Sequence, residues 1–336
     1  MLIFMQNNAS DNDIGSLLMW LEDSGFEPTL SIDGAARIIN VPTGGMEIPS
    51  ITAFPGVRQV VHTEPRFRLA SRDYKPDDTV IAAGERKIGG GNFCIFAGPC
   101  SVETSDILGE TALLLKSEGL GIMRAGAFKP RTSPYSFQGL GYNGIELLSD
   151  VKSKTGILIV TEAIDIESVE QVERVADVIQ IGSRNMQNFS LLKRLGKSGK
   201  PVLLKRGMSS TLDELLLAAE YILVGGNENV ILCERGIRTF DDHSRNTLDL
   251  SAIPALREMT HLPIIVDPSH ATGKRSYIAP MSKAALAAGA DGLMLEIHPQ
   301  PEHAFSDGGQ TLNLSEFKTL LSELRDLAQV LKIRIN

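Results

Sequence analysis

From residue 93 onward, short apolar runs alternate with stretches in which apolar residues recur every three or four positions. The runs at 93–97, 121–127, 157–161, 178–182, 201–205, 229–233, 263–267 and 291–296 are apolar or β-branched and read as strands. Helical spacing follows each of them. Examples are Leu212, Leu215, Leu216 and Ala219 after the fifth run, and Met281, Ala284, Ala285 and Ala288 after the seventh. About eight βα units in roughly 240 residues predict a (β/α)8 barrel over 93–336. An open doubly wound sheet is the alternative. Its first strand would lead into a glycine-rich phosphate loop, and Gly98-Pro99-Cys100 is not one.

The first 68 residues carry a different pattern. Leu2–Met5 reads as a strand, and Ile14, Leu17, Leu18 and Leu21 share one helical face capped by Asp11 or Asp13 and stopped by Gly25. Thr29–Ile32 and Ile38–Val41 read as a hairpin turning at Asp33-Gly34, Ile48–Phe54 as a short, poor helix, and Val57–His62 as a fourth strand. The order β-α-β-β-α-β predicts a small α+β, ferredoxin-like domain. Residues 69–92 are polar and turn-rich, with a break at Gly89-Gly90-Gly91, and read as a linker.

Composition narrows the function classes. The chain has 336 residues, 43% of them apolar, and a net charge of −8 with both signs interspersed, which argues against a nucleic-acid or anionic-membrane partner. Three cysteines, an odd and sparse set, indicate a reducing compartment. No basic leader and no apolar run of bilayer length is visible, so the expectation is a cytoplasmic protein.

Chemistry collects at the strand ends, where barrel enzymes build their sites. The first strand stops at Gly98-Pro99 and leaves Cys100 and Ser101 at its tip, before a helix capped by Thr104 or Ser105. Taken alone, Cys100 reads as a small buried hydrophobe. The later strand ends change that reading. They carry Arg124, Lys129, Arg131 and Thr132; Glu162; Arg184 and Asn185; Lys205 and Arg206; Glu234, Arg235 and Arg238; Asp267 and His270; Glu296 and His298, with Asp307 beyond. Each lone Arg or Lys is ordinarily a solvated charge. Together they call for a guest with more than one anionic group. Lys205 resists the bland reading most, because it ends the apolar run Val202-Leu203-Leu204. Cys100, His270, Glu296 and Asp307 form a mixed N/O/S set suited to a divalent transition metal. They lack the tight spacing of a zinc finger. His298 and His303 compete as imidazoles, and Glu234 and Asp241 as carboxylates.

Six motifs in order are far more specific than any one. Ala97-Gly98-Pro99-Cys100-Ser101, Lys129-Pro130-Arg131-Thr132-Ser133, Gly182-Ser183-Arg184-Asn185-Met186-Gln187-Asn188, Leu204-Lys205-Arg206-Gly207, Cys233-Glu234-Arg235-Gly236 and Asp267-Pro268-Ser269-His270 together resemble the 3-deoxy-D-arabino-heptulosonate-7-phosphate (DAHP) synthases. The likeness is to the short type related to 3-deoxy-D-manno-octulosonate-8-phosphate synthase, with an N-terminal ferredoxin-like domain. The resemblance implies a transferase that condenses phosphoenolpyruvate with erythrose 4-phosphate at the start of the shikimate pathway. It assigns Cys100, His270, Glu296 and Asp307 to a metal, with Mn²⁺ first and Zn²⁺, Fe²⁺ or Co²⁺ as alternatives. It assigns Arg124, Lys129, Arg184, Lys205 and Arg235 to phosphoenolpyruvate, and Arg131 and Thr132 to the aldose phosphate. Lys129, Cys100 and His270 are the expected catalytic set. Pro130-Arg131-Thr132-Ser133 stands where the octulosonate enzymes commonly have Ala-Asn-Arg-Ser, which favours the four-carbon aldose. The nearest rival reaction uses arabinose 5-phosphate, and a sialic-acid-synthase-like condensation is more distant. A catalytically silent barrel acting as a regulatory partner is the rival of another class. The resemblance further implies a homotetramer, and inhibition by tyrosine or phenylalanine through residues 1–68.

Overall fold

Alternation in the first sixty residues becomes a four-stranded antiparallel sheet. The computed structural model describes residues 1–33, 36–43, 51–61 and 66–335. It divides into two units, Met1–Ser71 and Arg72–Asn336. In the first unit β1 (Leu2–Met5), α1 (Asp11–Asp23), β2 (Thr29–Asp33), β3 (Ala36–Asn40) and β4 (Val57–Val61) give a sheet of order β2-β3-β1-β4. All neighbours are antiparallel, the order of a ferredoxin-like sandwich. Helix α1 buries Ile14, Leu17 and Leu21 in a core with Ile3, Met5, Ile39 and Val57. Its cap is Ser10, not Asp11 or Asp13. The Ser10 hydroxyl accepts from the Asp13 N–H at 3.1 Å while the Asp13 carboxylate accepts from the Ser10 N–H at 2.9 Å, a reciprocal capping box. Of the expected second helix, Ile51–Ala53 forms one 3-10 turn, cut short by Pro55-Gly56; residues 48–50 lie outside the described residues. The hairpin register pairs Asp33 with Ala36, and Gly34 of the expected turn likewise lies outside them.

In the second unit a hairpin of β5 (Ile81–Ala83) and β6 (Arg86–Ile88) precedes the barrel strands. These are β7 (Asn92–Gly98), β8 (Ile122–Arg124), β9 (Leu158–Glu162), β10 (Val178–Ile181), β11 (Val202–Lys205), β12 (Val230–Glu234), β13 (Ile264–Val266) and β14 (Gly292–Glu296). Helices α2 (Ser105–Ser117), α3 (Tyr142–Thr155), α4 (Ile166–Val175), α5 (Phe189–Leu195), α6 (Leu212–Val224), α7 (Ala252–Met259), α8 (Pro268–Thr272), α9 (Arg275–Ala287) and α10 (Leu314–Leu331) alternate with them. Every neighbouring pair of barrel strands is parallel, and β14 closes on β7 through five register pairs, from Gly292↔Cys94 to Glu296↔Gly98. Strand β8 is shorter than the apolar run 121–127, because the chain turns after Arg124 into the loop that carries Lys129.

Side chains alternate along a strand, so one parity faces the barrel axis. The inner core gathers Phe96, Ile122, Val160, Val178, Leu203, Cys233, Ile265 and Met294, with Ile81, Ala83 and Ile88 of the β5–β6 hairpin. The hairpin therefore plugs one end of the barrel with apolar side chains. Part of the expected linker is thus barrel core.

Candidate active site

Counting two residues onward from the core sets the composition of the other end. Ile122 leads to Arg124, Val160 to Glu162, Val178 to Gln180, Leu203 to Lys205, Cys233 to Arg235, Ile265 to Asp267 and Met294 to Glu296. The parity that fills the barrel with aliphatic groups aims seven polar side chains inward at the C-terminal rim. From Phe96 the same step reaches Gly98, where a Cβ would come within 2.1 Å of the Arg124 carbonyl oxygen. Only glycine lets β7 and β8 approach so closely.

Four ligand-bearing residues meet there. Ligand atoms of Cys100, His270, Glu296 and Asp307 all lie within 4.8 Å of one another. Cys100 Sγ is 3.0 Å from Asp307 Oδ2, and His270 Nε2 is 3.0 Å from Glu296 Oε1. A thiolate, an imidazole and two carboxylates fit a divalent transition metal by donor type. The surroundings fit as well. His270 Nδ1 lies 2.7 Å from Asp267 Oδ2, the carboxylate–histidine pairing that fixes the ring and leaves Nε2 for a metal.

Local sequence builds this arrangement. Asp267 is the N-cap of α8, Pro268 takes the first helical position, and Gly273 ends the helix in the left-handed conformation. The Asp267 Oδ1 accepts from the His270 N–H at 2.9 Å, which brings the imidazole back over its own cap. Asp267 Oδ2 also accepts from Lys205 Nζ at 2.5 Å. Burial opposes the charge on Asp267, but His270 and Lys205 prevail and hold its carboxyl well below the usual range. Burial likewise disfavours a charged His270. Asp267 and Glu296 outweigh it and raise the imidazole to about 10. Glu296 is fully buried, and His270 with Arg124 and Lys129 keeps it ionised despite that burial. A proton on His270 and a metal on its Nε2 exclude each other, so loading the site displaces a proton.

A cationic wall surrounds the cluster. The pocket is lined by Arg124, Lys129, Arg131, Arg184, Lys205, Arg235 and Arg245, together with His270, Glu162 and Asp307. Seven Lys and Arg line it with Glu162 and Asp307, and Asp267 and Glu296 lie buried behind them; even against all four carboxylates the cations are in excess, in a chain of net charge −8, and the local field attracts anions. Arg124, Lys129, Lys205 and Arg235 are buried. Lys129 Nζ donates to Cys100 O and Sγ, each at 3.0 Å. Arg124 donates to Pro99 O at 2.8 Å and lies 3.5 Å from Glu296. Arg235 donates to Gly236 O and His270 O. Arg184 stands exposed on the 3-10 turn Ser183–Asn185 and has no ion-pair partner among the described residues. Arg131 lies 3.8 Å from Asp307 and Arg245 lies 3.4 Å from it, one on each side.

All of the expected residues except Thr132 reach the pocket or the ligand cluster; Thr132 is exposed and outside the pocket lining. The competing groups lie elsewhere. His298 is buried 3.5 Å from Glu103, and His303 is exposed. Glu234 pairs with Arg206 at 2.8 Å and accepts from the Gly236 N–H at 2.6 Å. Asp241 is exposed and pairs with His243. The sequence reading left Glu162, Gln180, Asp267, Arg245 and Gln310 out of the site. Strand parity identifies the first three. Glu162 accepts from Gln180 at 2.9 Å through Oε2, while its buried Oε1 has no hydrogen-bond partner among the described residues and its side chain lines the pocket.

The matches to known proteins agree with this geometry. The DAHP synthetase I family profile matches residues 75–332. A curated phospho-2-dehydro-3-deoxyheptonate aldolase of Thermotoga maritima is 45% identical over 338 residues, covering 100% of both chains. A crystal structure described as phospho-2-dehydro-3-deoxyheptonate aldolase (DAHP synthase) from Thermotoga maritima is 44% identical with a TM-score of 0.91, over 100% of this chain and 99% of that one. A 2-dehydro-3-deoxyphosphooctonate aldolase of Syntrophotalea carbinolica is 31% identical, over 72% of this chain and 94% of its own. Fold, ligand cluster, cationic wall and full-length similarity converge on one conclusion: the chain belongs to the DAHP synthetase I family.

Proposed function

We propose that this barrel condenses phosphoenolpyruvate with erythrose 4-phosphate and water, giving 3-deoxy-D-arabino-heptulosonate 7-phosphate and phosphate. The observation that carries the reading is the seven-cation pocket set on the four-residue ligand cluster. The four-carbon aldose is favoured over arabinose 5-phosphate because the heptonate aldolase matches the whole chain, whereas the octonate aldolase matches 72% of it.

In this reading Arg184, Lys205 and Arg235 hold the phosphate of phosphoenolpyruvate, and Arg124 with Lys129 its carboxylate. Arg131 takes the aldose phosphate, and Thr132, exposed outside the pocket lining, would have to turn inward with its loop to share that contact. Two anions brought together need this compensation before they react. The methylene carbon attacks the aldehyde. A divalent metal on Cys100, His270, Glu296 and Asp307, with Mn²⁺ as first choice, would supply Lewis-acid polarisation. In this reading Lys129 gives a proton to the nascent alkoxide. Positive charge grows at the enol-ether carbon, water adds there, and phosphate leaves. In this reading Glu162 Oε1, unpartnered among the described residues on a pocket-lining side chain, takes the water's proton.

The test follows phosphoenolpyruvate loss by ultraviolet absorbance, with erythrose 4-phosphate or arabinose 5-phosphate and with Mn²⁺ or EDTA. Consumption with the four-carbon aldose, abolished by EDTA, is the expected result. Turnover only with the five-carbon aldose moves the chain to the octulosonate reaction. For the first unit we propose inhibition by tyrosine or phenylalanine, in a cytoplasmic homotetramer. Removing residues 1–68 should leave catalysis and abolish inhibition, and sedimentation should give four chains. Among the described residues no helix is long and apolar enough to cross a membrane.

A further inference from the structure

Gln310 lies buried on the β14–α10 loop between two groups of opposite hydrogen-bonding character. Its Nε2 donates to Glu296 Oε2 at 2.6 Å, and its Oε1 accepts from Arg245 Nη1 at 3.3 Å. A carboxylate only accepts and a guanidinium only donates. Bridging them takes one side chain that does both. The two partners also fix which way the amide faces.

The consequence falls on the ligand cluster. Glu296 Oε2 is occupied by Gln310, while Oε1 is the oxygen 3.0 Å from His270 Nε2. Arg245 Nη1 also reaches Asp307 Oδ1 at 3.4 Å, while Oδ2 is the oxygen 3.0 Å from Cys100 Sγ. On each carboxylate one oxygen is tied back by Gln310 or Arg245, and the other, touched only at longer range by Arg124 at 3.5 Å or Arg131 at 3.8 Å, is turned toward the remaining ligands.

We propose that Gln310 and Arg245 are positioning residues that present Glu296 and Asp307 to a metal as one-oxygen ligands. A site limited in this way offers four donors, one of them a thiolate, and suits a small transition ion. Ca²⁺ takes six to eight oxygens, often from bidentate carboxylates. The pair therefore sets selectivity as well as affinity. This inference rests on the metal reading of the cluster.

The test is titration of Co²⁺ and of Ca²⁺ into the full chain without substrates, read by the Co²⁺–thiolate charge-transfer band and by competition. Gln310→Met and Gln310→Glu should weaken Co²⁺ roughly 10–100-fold, and both should narrow the Co²⁺-over-Ca²⁺ ratio. General loosening of the fold would weaken both ions alike. Arg245→Gln, whose native side chain is 38% exposed, should fold and narrow the same ratio to a smaller extent. Wild-type affinity and selectivity in Gln310→Met, or in Arg245→Gln if the Gln310 variants do not fold, overturns the proposal alone. Absence of a charge-transfer band in the wild-type chain overturns both it and the metal reading.

Discussion

Asp267→Asn is the substitution whose outcome the geometry constrains most. Three donors converge on this carboxylate: the His270 N–H on Oδ1, and His270 Nδ1 with Lys205 Nζ on Oδ2. An amide of the same shape has one accepting oxygen, so at least one donor is orphaned. The buried Lys205 ammonium also loses its counter-ion, which costs roughly 3–5 kcal/mol when such a pair is broken. At about 2–4 °C per kcal/mol for a domain of this order of size, the melting temperature should fall by roughly 6–20 °C. Acid behaviour should change with it. The native carboxyl lies well below its unfolded value, so its contribution is present above about pH 3.9 and fades only as pH drops through the lower folded value. The variant should lack that acid-labile component. The effect on the site is separate. With its oxygen toward Lys205 Nζ and His270 Nδ1 the amide turns its NH₂ on the His270 N–H, and, being uncharged, it orients the imidazole less firmly than the carboxylate and makes it a weaker ligand. Metal affinity should drop roughly 10–100-fold. Thermal melts from pH 3 to 7, with Co²⁺ titration at neutral pH, measure all three effects. A variant that melts within 2 °C of wild type and binds metal equally well would falsify this account of Asp267.

Three further substitutions separate the parts of the site. Cys100→Ala should abolish metal retention after dialysis and metal-dependent turnover while the far-ultraviolet dichroism stays native; normal metal content in the variant would remove Cys100 from the ligand set. Lys205→Ala removes a charge-assisted contact worth about 1.5–3 kcal/mol, so kcat/KM for phosphoenolpyruvate should fall roughly 10–150-fold with a smaller change in metal affinity. Unchanged kinetics would place Lys205 outside the substrate site. Gly182→Ala puts a Cβ 2.2 Å from Glu162 Oε1, so the carboxylate must move; a displacement of that size should cost kcat roughly 100-fold in a folded barrel, and a fully active variant would show that Glu162 tolerates displacement.

Much of this fold is legible because burial on both faces makes parallel strands nearly continuous apolar runs. All eight barrel runs became strands, within a few residues at their ends. Boundaries drifted where chemistry intervened: Asp267 left its strand to cap α8, and the second run ended at Arg124 to release the Lys129 loop. The four residues of the candidate ligand cluster were readable as residue types, and the motif order pointed to one family. Glu162 and Asp267 were visible at strand ends, yet only their step of two from Val160 and Ile265 marks them as inward-facing. Gln310 and Arg245 carried no local signal. Arg245 sits in the β12–α7 loop, 65 residues before Gln310, and nothing in either neighbourhood encodes their meeting. Asp11 and Asp13 carry the cap signal in the sequence, and the reciprocal bond between Ser10 and Asp13 assigns the cap to Ser10 instead.

Cys100 follows the first barrel strand, and Glu296 ends the last. Those two strands meet at the seam where the sheet becomes a cylinder. The two residues are distant along the chain and adjacent only when that seam is shut. A metal bound by both would act as a buckle across it, stabilising the shut cylinder by mass action. Among the eight barrel strands the seam joins the pair farthest apart along the chain, and loop closure costs more entropy as the span grows. Chelation should therefore speed amide exchange first along β7 and β14, and metal uptake during refolding should report the moment of closure.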